Sequence, residues 1–151
     1  WKGMISMNFV KTQIAFEAAH RLYDVDTYSE ECRQNVHGHS YKVTVIVGRK
    51  NLNRAGMVID FKQLKEVLRD KIEKKYDHSC ILKRTDPIAS TIQDNCKKVY
   101  TVENNPTAEW MARSFYVEIK PYIQRIDSEV FIKEIQVQET ENNIAIYCPE
   151  D

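Results

Sequence analysis

The chain has 151 residues, of which 42% are apolar and 29% are charged. These values are ordinary for one soluble globular domain with a proper core, and the length is short for two domains. The 22 basic and 22 acidic residues cancel, so the sequence lacks the basic excess that nucleic-acid binders and membrane-surface binders need. We therefore expect neither nucleic acid nor membrane as a partner.

The sequence carries no signal for a membrane or a secretory pathway. No apolar run approaches the roughly 20 residues that cross a bilayer, and the N-terminus lacks the apolar stretch of a signal peptide. The four cysteines are scattered without paired spacing, which fits a reducing compartment. We predict a cytoplasmic protein with one domain over residues 8–149. Residues 1–7 are interpreted as an N-terminal extension or as residues added by cloning.

The pattern of apolar residues predicts both strands and helices. Alternation or β-branched runs predict strands over residues 9–16, 41–47, 98–102, 131–137 and 143–147. Apolar residues at helical spacing predict helices over residues 60–75 and 108–123, with Asp60 and Thr107 as candidate caps. Since neighbouring strands near each end of the chain can pair as hairpins, we expect an α+β fold with two helices on an antiparallel sheet.

Three of the four histidines are spaced as metal ligands. His20 ends the first predicted strand, and His37 and His39 precede the second. Residues i and i+2 of a strand project from one face, and Gly38 between them leaves space for a ligand. If the strands pair, three imidazoles with an open fourth position form the pattern of a catalytic zinc. The alternatives are a polar HxH pair at a strand edge, or a closed structural site with Cys32 as fourth ligand.

Two further groups are candidates for proton transfer. Asp77 precedes His78 after the first predicted helix, and a carboxylate beside an imidazole can fix its tautomer. A histidine at a helix C-terminus is also favoured by the helix dipole alone. Cys32 lies a few residues before the histidine pair, where a nearby cation can hold a thiolate. Each signal is weak by itself.

The remaining candidates are polar residues at the ends of predicted elements. Glu139 lies at the end of a predicted strand, where its carboxylate can accept hydrogen bonds from a ligand ring that carries several N–H donors. A solvated strand end is the simpler interpretation. Thr107 and Glu109 open the second predicted helix. Such residues are more often a cap and a first-turn acid than ligands.

Six short motifs stand in one order along residues 9–147 and together resemble the 6-pyruvoyl-tetrahydropterin synthase family. They are Phe16-Glu-Ala-Ala-His20, Cys32 before His37-Gly-His39-Ser-Tyr41, Gly56-Met-Val-Ile-Asp-Phe61, Asp77-His78, Pro106-Thr-Ala-Glu109 and Glu139-Thr140. Each motif is short, but the ordered set is specific and covers nearly the whole chain.

Within this family the resemblance is strongest to the bacterial branch, 6-carboxy-5,6,7,8-tetrahydropterin synthase of the queuosine pathway. The segments Asp86-Pro87, Val99–Val102 and Asn105–Glu109 look like the linker of that branch. Glu139–Ile144 is similar to the biopterin-forming branch. Both branches act on 7,8-dihydroneopterin triphosphate. One releases acetaldehyde and triphosphate to leave carboxytetrahydropterin, and the other eliminates triphosphate to leave a pyruvoyl side chain.

The resemblance also implies a fold and an assembly. The family has the tunnelling fold, which implies here an antiparallel four-stranded sheet with two helices packed on one face. Its sheets join around a threefold axis, so a homo-oligomer is expected, either a trimer or a dimer of trimers. Active sites in such assemblies lie between subunits.

The site residues follow from matching the motifs to the family. The resemblance implies Zn²⁺ on His20, His37 and His39. It implies Cys32 as the base. Cys32 stands five positions before His37, whereas the bacterial branch usually has four and the mammalian-type branch six, so Glu30 or Glu31 is an alternative carboxylate base. Asp77 and His78 would form the second proton carrier, supplied by a neighbouring subunit. Glu139, helped by Thr107 and Glu109, would bind the pterin. A pterin- or zinc-binding protein without turnover remains a further alternative.

Overall fold

The computed structural model describes residues 6–26 and 29–150. Its strands are β1 (Asn8–His20), β2 (His37–Arg49), β3 (Ser79–Lys83), β4 (Val99–Val102), β5 (Phe131–Thr140) and β6 (Asn143–Tyr147). Its helices are α1 (Glu30–Gln34), α2 (Phe61–Leu68), α3 (Lys74–Tyr76), α4 (Ala89–Asn95) and α5 (Ala108–Ile126), and a π-helical turn (Arg69–Glu73) joins α2 to α3. Of the predicted extension over residues 1–7, residues 1–5 lie outside the described residues.

The described strands form one sheet in the order β4-β3-β1-β2-β5-β6. The pairs β1–β2, β2–β5 and β5–β6 are antiparallel, whereas the pairs β1–β3 and β3–β4 are parallel. The α+β class is therefore confirmed, but the predicted antiparallel sheet of four strands is wrong, because the sheet is mixed and has six. Strand β3 went unpredicted because it is short and its buried residues do not alternate.

The first two strands run further than their apolar patterns predict. Pairing of β1 with β2 continues without interruption from Asn8↔Arg49 to His20↔His37. Alanine and glycine at this end have weak strand preference, so the ladder and not the local sequence keeps them extended. The extension carries all three candidate metal ligands into regular strand.

The two long helical segments begin at the predicted caps. The Asp60 side chain accepts from the Lys62 backbone N–H at 2.7 Å, and Thr107 Oγ1 accepts from the Trp110 N–H at 3.2 Å. The helical run that starts with α2 reaches Tyr76 through the π-helical turn, close to the predicted end, and α5 ends at Ile126, three residues beyond its prediction.

One hydrophobic core lies between the helices and one face of the sheet, which we call the inner face. It joins alternate residues of β1, β2 and β5 to the apolar stripes of α2 and α5. Its largest fully buried side chains include Tyr41, Phe115, Leu64, Leu68 and Ile72. The opposite, outer face of the sheet carries exposed residues of β1 such as Phe9 and Glu17. Among the described helices, none combines the length and the apolar character needed to span a membrane.

Candidate active site

The structure brings His20, His37 and His39 together at one end of the inner face. The register pairs His20 with His37 and Ala18 with His39 across β1 and β2. The ligand nitrogens of the three imidazoles all lie within 4.8 Å of one another, and the Nε2 atoms of His20 and His37 are 3.0 Å apart. The predicted cluster is therefore confirmed as a group that can hold a metal ion.

Backbone carbonyls fix the tautomers of two of these rings. His20 Nδ1 lies 2.7 Å from the Pro106 carbonyl oxygen, and His37 Nδ1 lies 3.0 Å from that of Asn35. Because a carbonyl only accepts, each Nδ1 carries the hydrogen and donates it, which leaves the Nε2 lone pairs aimed at each other. Two facing lone pairs at this distance repel, so a shared cation would remove the conflict.

Burial favours the neutral, metal-binding form of two of the three histidines, His20 and His39. His20 is 2% exposed, and this burial lowers its pKa to about 4. Burial also lowers the pKa of His39. His39 Nε2 is buried without any hydrogen-bond partner in the described part of the chain. A buried polar atom without a partner is costly, and a metal ion bound to it would remove that cost.

Glu139 reaches the same cluster from β5. It continues the inner-face alternation of Ile135 and Val137. Its Oε1 lies 3.6 Å from His20 Nε2 and 3.8 Å from His39 Nε2. These distances exceed those of good hydrogen bonds. The carboxylate is thus near the imidazoles without being hydrogen-bonded to them. Its negative charge would favour a cation bound to the three rings.

A cavity of about 580 Å³ opens beside the cluster. This volume is in the range of small-molecule sites. The cavity is lined by His20, Leu22, Thr107, Ala108, Glu109, Glu139, Asn142, Asn143, Ile144 and Ala145. It thus brings together three residues predicted separately from the sequence, which are Thr107, Glu109 and Glu139.

Some lining residues had no role in the sequence analysis. Asn142 lies in the turn between β5 and β6, and Asn143 is the first residue of β6. Their amides can both donate and accept hydrogen bonds. The available signal was their place in the Glu139–Ile144 segment, where only Glu141 separates them from Glu139-Thr140. Leu22 lies two residues after His20 and contributes an apolar wall.

The Asp77–His78 pair lies on the outer face of the sheet. His78 Nδ1 is 2.8 Å from Asp77 Oδ2, and Asp77 Oδ1 accepts from the Glu17 backbone N–H at 2.9 Å. That backbone hydrogen bond lowers the pKa of Asp77. The His78 side chain is 79% exposed and lines a groove together with Glu17, Gly38, His39 and Ser40. His78 is not among the described residues that line the cavity beside His20.

Cys32 lies on α1, in the connection between β1 and β2. Its carbonyl oxygen accepts from the Leu22 N–H at 3.1 Å, and the residue is half-buried. Glu30 and Glu31 are exposed on the same helix. Cys32 is not among the described residues that line the cavity.

Comparisons with known proteins agree with this geometry. A family model described as 6-pyruvoyl tetrahydropterin synthase matches residues 9–150. The 6-carboxy-5,6,7,8-tetrahydropterin synthase of Rickettsia felis is 33% identical over 132 residues, covering 86% of this chain and 92% of that protein. The enzyme of the same name from Aquifex aeolicus is 33% identical, covering 89% of this chain and 94% of that protein.

Solved structures share the fold. An uncharacterised protein from Wolinella succinogenes superposes with a TM-score of 0.81 at 22% identity, covering 96% of this chain and 99% of that chain. The 6-pyruvoyl tetrahydropterin synthase of Plasmodium vivax superposes with a TM-score of 0.71 at 19% identity, covering 94% of this chain and 97% of that chain. The predicted enzymatic character, that of a lyase, is confirmed by the curated relatives. The chain belongs to the 6-pyruvoyl tetrahydropterin synthase family.

Proposed function

We propose that this chain is a zinc-dependent lyase that converts 7,8-dihydroneopterin triphosphate to 6-carboxy-5,6,7,8-tetrahydropterin, with release of acetaldehyde and triphosphate, in queuosine biosynthesis. The observation that carries the proposal is the convergence of three imidazoles, with a carboxylate beside them, on a cavity of about 580 Å³. The choice of product is supported by relatives named 6-carboxy-5,6,7,8-tetrahydropterin synthase that match over nearly their whole length.

Zinc is the metal that best suits these donors. Three neutral imidazoles with an open fourth position form a common catalytic zinc set, and His20, His37 and His39 would hold the ion. When bound, zinc makes protons next to coordinated hydroxyl groups more acidic. The carbonyl oxygens of Pro106 and Asn35 hold the rings of His20 and His37 in the tautomer that presents Nε2.

The cavity wall provides groups for the pterin ring. Glu139 is proposed to accept hydrogen bonds from the amino and ring N–H groups, because an ionised carboxylate is an acceptor with several lone pairs. Thr107 Oγ1 already accepts from the Trp110 N–H, which leaves its O–H free to donate to a ligand. Glu109 lines the cavity from the first turn of α5 and is proposed as an additional acceptor.

Proton transfer is assigned to two groups outside this cavity. His78 is proposed as a proton carrier oriented by Asp77, whose carboxylate accepts from Nδ1–H and leaves Nε2 for the reaction. Because His78 lies on the outer face, we propose that it serves the cavity of a neighbouring copy, in a trimer or a dimer of trimers. Cys32 is proposed as the base, and Glu30 or Glu31 is the alternative.

The second candidate function is the 6-pyruvoyl-tetrahydropterin synthase reaction. It is favoured by the description of the matching family and by the Glu139–Ile144 segment, which the sequence analysis associates with that branch. The two reactions share the substrate and the metal site, so the products distinguish them. A protein that binds zinc and pterin without turnover is the third candidate. Its binding of zinc and pterin would stay unchanged when Cys32 or His78 is replaced by alanine.

The reaction is tested by incubating the zinc-loaded protein with dihydroneopterin triphosphate and measuring acetaldehyde and the pterin product. We expect acetaldehyde together with carboxytetrahydropterin, and loss of both in the Cys32→Ala variant. Release of triphosphate together with a pyruvoyl product would support the second candidate function instead. Bound zinc without any turnover would contradict both reactions.

Replacement Glu139→Gln tests the proposed pterin acceptor. The loss of a charge-assisted hydrogen bond costs about 1.5–3 kcal/mol, so KM should rise roughly 10- to 100-fold. The zinc content should stay unchanged, and Glu141→Gln, at an exposed position of the following turn, serves as the matched control. Loss of zinc from Glu139→Gln would instead make Glu139 a metal ligand.

A mixture of two inactive variants tests whether the site is shared between copies. We expect His37→Ala and His78→Ala to be inactive alone, because each lacks one part of every site. Co-expressed chains should recover up to about one quarter of the wild-type activity, since random assembly joins an intact cluster to an intact His78 at that frequency. Mixed assemblies that stay inactive would place both groups in the site of a single chain.

A further inference from the structure

Arg21, the residue directly after His20, forms a buried ion pair that the proposed reaction does not use. Its Nε donates to Asp86 Oδ2 at 2.9 Å, and its Nη2 donates to Asp86 Oδ1. The Asp86 carboxylate is 0% exposed and the Arg21 side chain 13% exposed. Asp86 Oδ1 also accepts from the Ile88 N–H at 3.0 Å. The guanidinium is thus held by two parallel hydrogen bonds to the Asp86 carboxylate, which lies in the loop before α4.

The same guanidinium also reaches α1, the helix that carries Cys32. Arg21 Nη1 lies 3.5 Å from the carbonyl oxygen of Gln34, the last residue of α1, to which it donates. The next residue along the chain, Leu22, donates its backbone N–H to the Cys32 carbonyl oxygen at 3.1 Å. Two consecutive residues after His20 therefore hold both the middle and the end of α1.

These contacts matter because α1 lacks support from the core. None of its five residues is buried, so apolar packing does little to fix the helix. A single turn of helix is also too short to be stable by itself. The position of Cys32 therefore depends on polar contacts, and those made by Arg21 and Leu22 come from the strand end that carries His20.

We propose that Arg21 is a positioning residue, which, braced by the buried Asp86 carboxylate, sets α1 and hence the Cys32 thiol relative to His20. The inference rests on the proposed role of Cys32 as the base. Arginine suits this task because its planar fork can hold a carboxylate with two N–H groups and still present a further N–H to a carbonyl. A lysine keeps the charge but has neither the fork nor the fixed geometry.

The simpler alternative is that the pair only stabilises the fold. A variant that leaves Asp86 buried and unpaired would unfold or weaken the protein under either interpretation. Variant Arg21→Lys avoids this difficulty because it keeps a cation beside the carboxylate. The double variant Arg21→Leu/Asp86→Leu removes both charges together and fills their place with apolar side chains. It therefore provides a second folded protein that lacks the Arg21–Asp86 ion pair.

The test measures kcat, KM, zinc content and the alkylation rate of Cys32 relative to that of exposed Cys148 in the same protein. In Arg21→Lys and in the double variant we expect kcat to fall about 10- to 100-fold, as for other displaced supporting residues. KM and zinc content should stay unchanged, and Cys32 should be alkylated several-fold faster because α1 loosens. Arg84→Lys, in an exposed pair with Glu103, is the matched control and should change none of these values.

Other outcomes would overturn the proposal. Unchanged kcat and unchanged Cys32 alkylation in Arg21→Lys would reduce the pair to a structural role. A fall in zinc content that matches the fall in kcat would mean that Arg21 acts through His20. The alkylation rate does not depend on turnover, so it tests the positioning of Cys32 separately. Full activity of Cys32→Ala would instead contradict the proposed base.

Discussion

The pairing of β1 with β2 is the constraint on which the rest of the site depends. The ladder runs without a bulge to His20↔His37, and alternation along both strands then places all three imidazoles on the inner face. The rings of Phe16 and Tyr41 stack at 5.3 Å in the core, and a slip of one strand by one residue would turn one of these two rings toward solvent. Burial of apolar side chains therefore fixes the register, and the register builds the metal-binding group.

The same alternation separates the proposed chemistry between two faces of one sheet. Glu139 continues the inner face of β5 and reaches the imidazoles, whereas Glu17 on the outer face anchors Asp77 through its backbone. One chain therefore presents a cavity on one side and the Asp77–His78 pair on the other. An assembly in which copies meet across these faces would combine them, and this makes the oligomer part of the proposed mechanism.

Much of this arrangement could be predicted from the sequence because local patterns specify it. The spacing of His37 and His39, with His20 at the preceding strand end, predicted the cluster, and Asp60 and Thr107 predicted the helix starts. Strand β3 could not be predicted, since a short buried parallel strand depends on neighbours distant in sequence. The approach of Glu139 to the imidazoles is likewise set by the pairing of β2 with β5, and no local pattern encodes it.

The central claim, that His20, His37 and His39 hold zinc, is tested most directly by the metal content of the purified protein after zinc loading and dialysis. The account predicts about one zinc ion per chain in the wild type and in His78→Ala, whose ring lies on the outer face. It predicts loss of this zinc in a folded His37→Ala variant. A wild-type protein that retains no zinc, or a His37→Ala variant that retains all of it, would contradict the account.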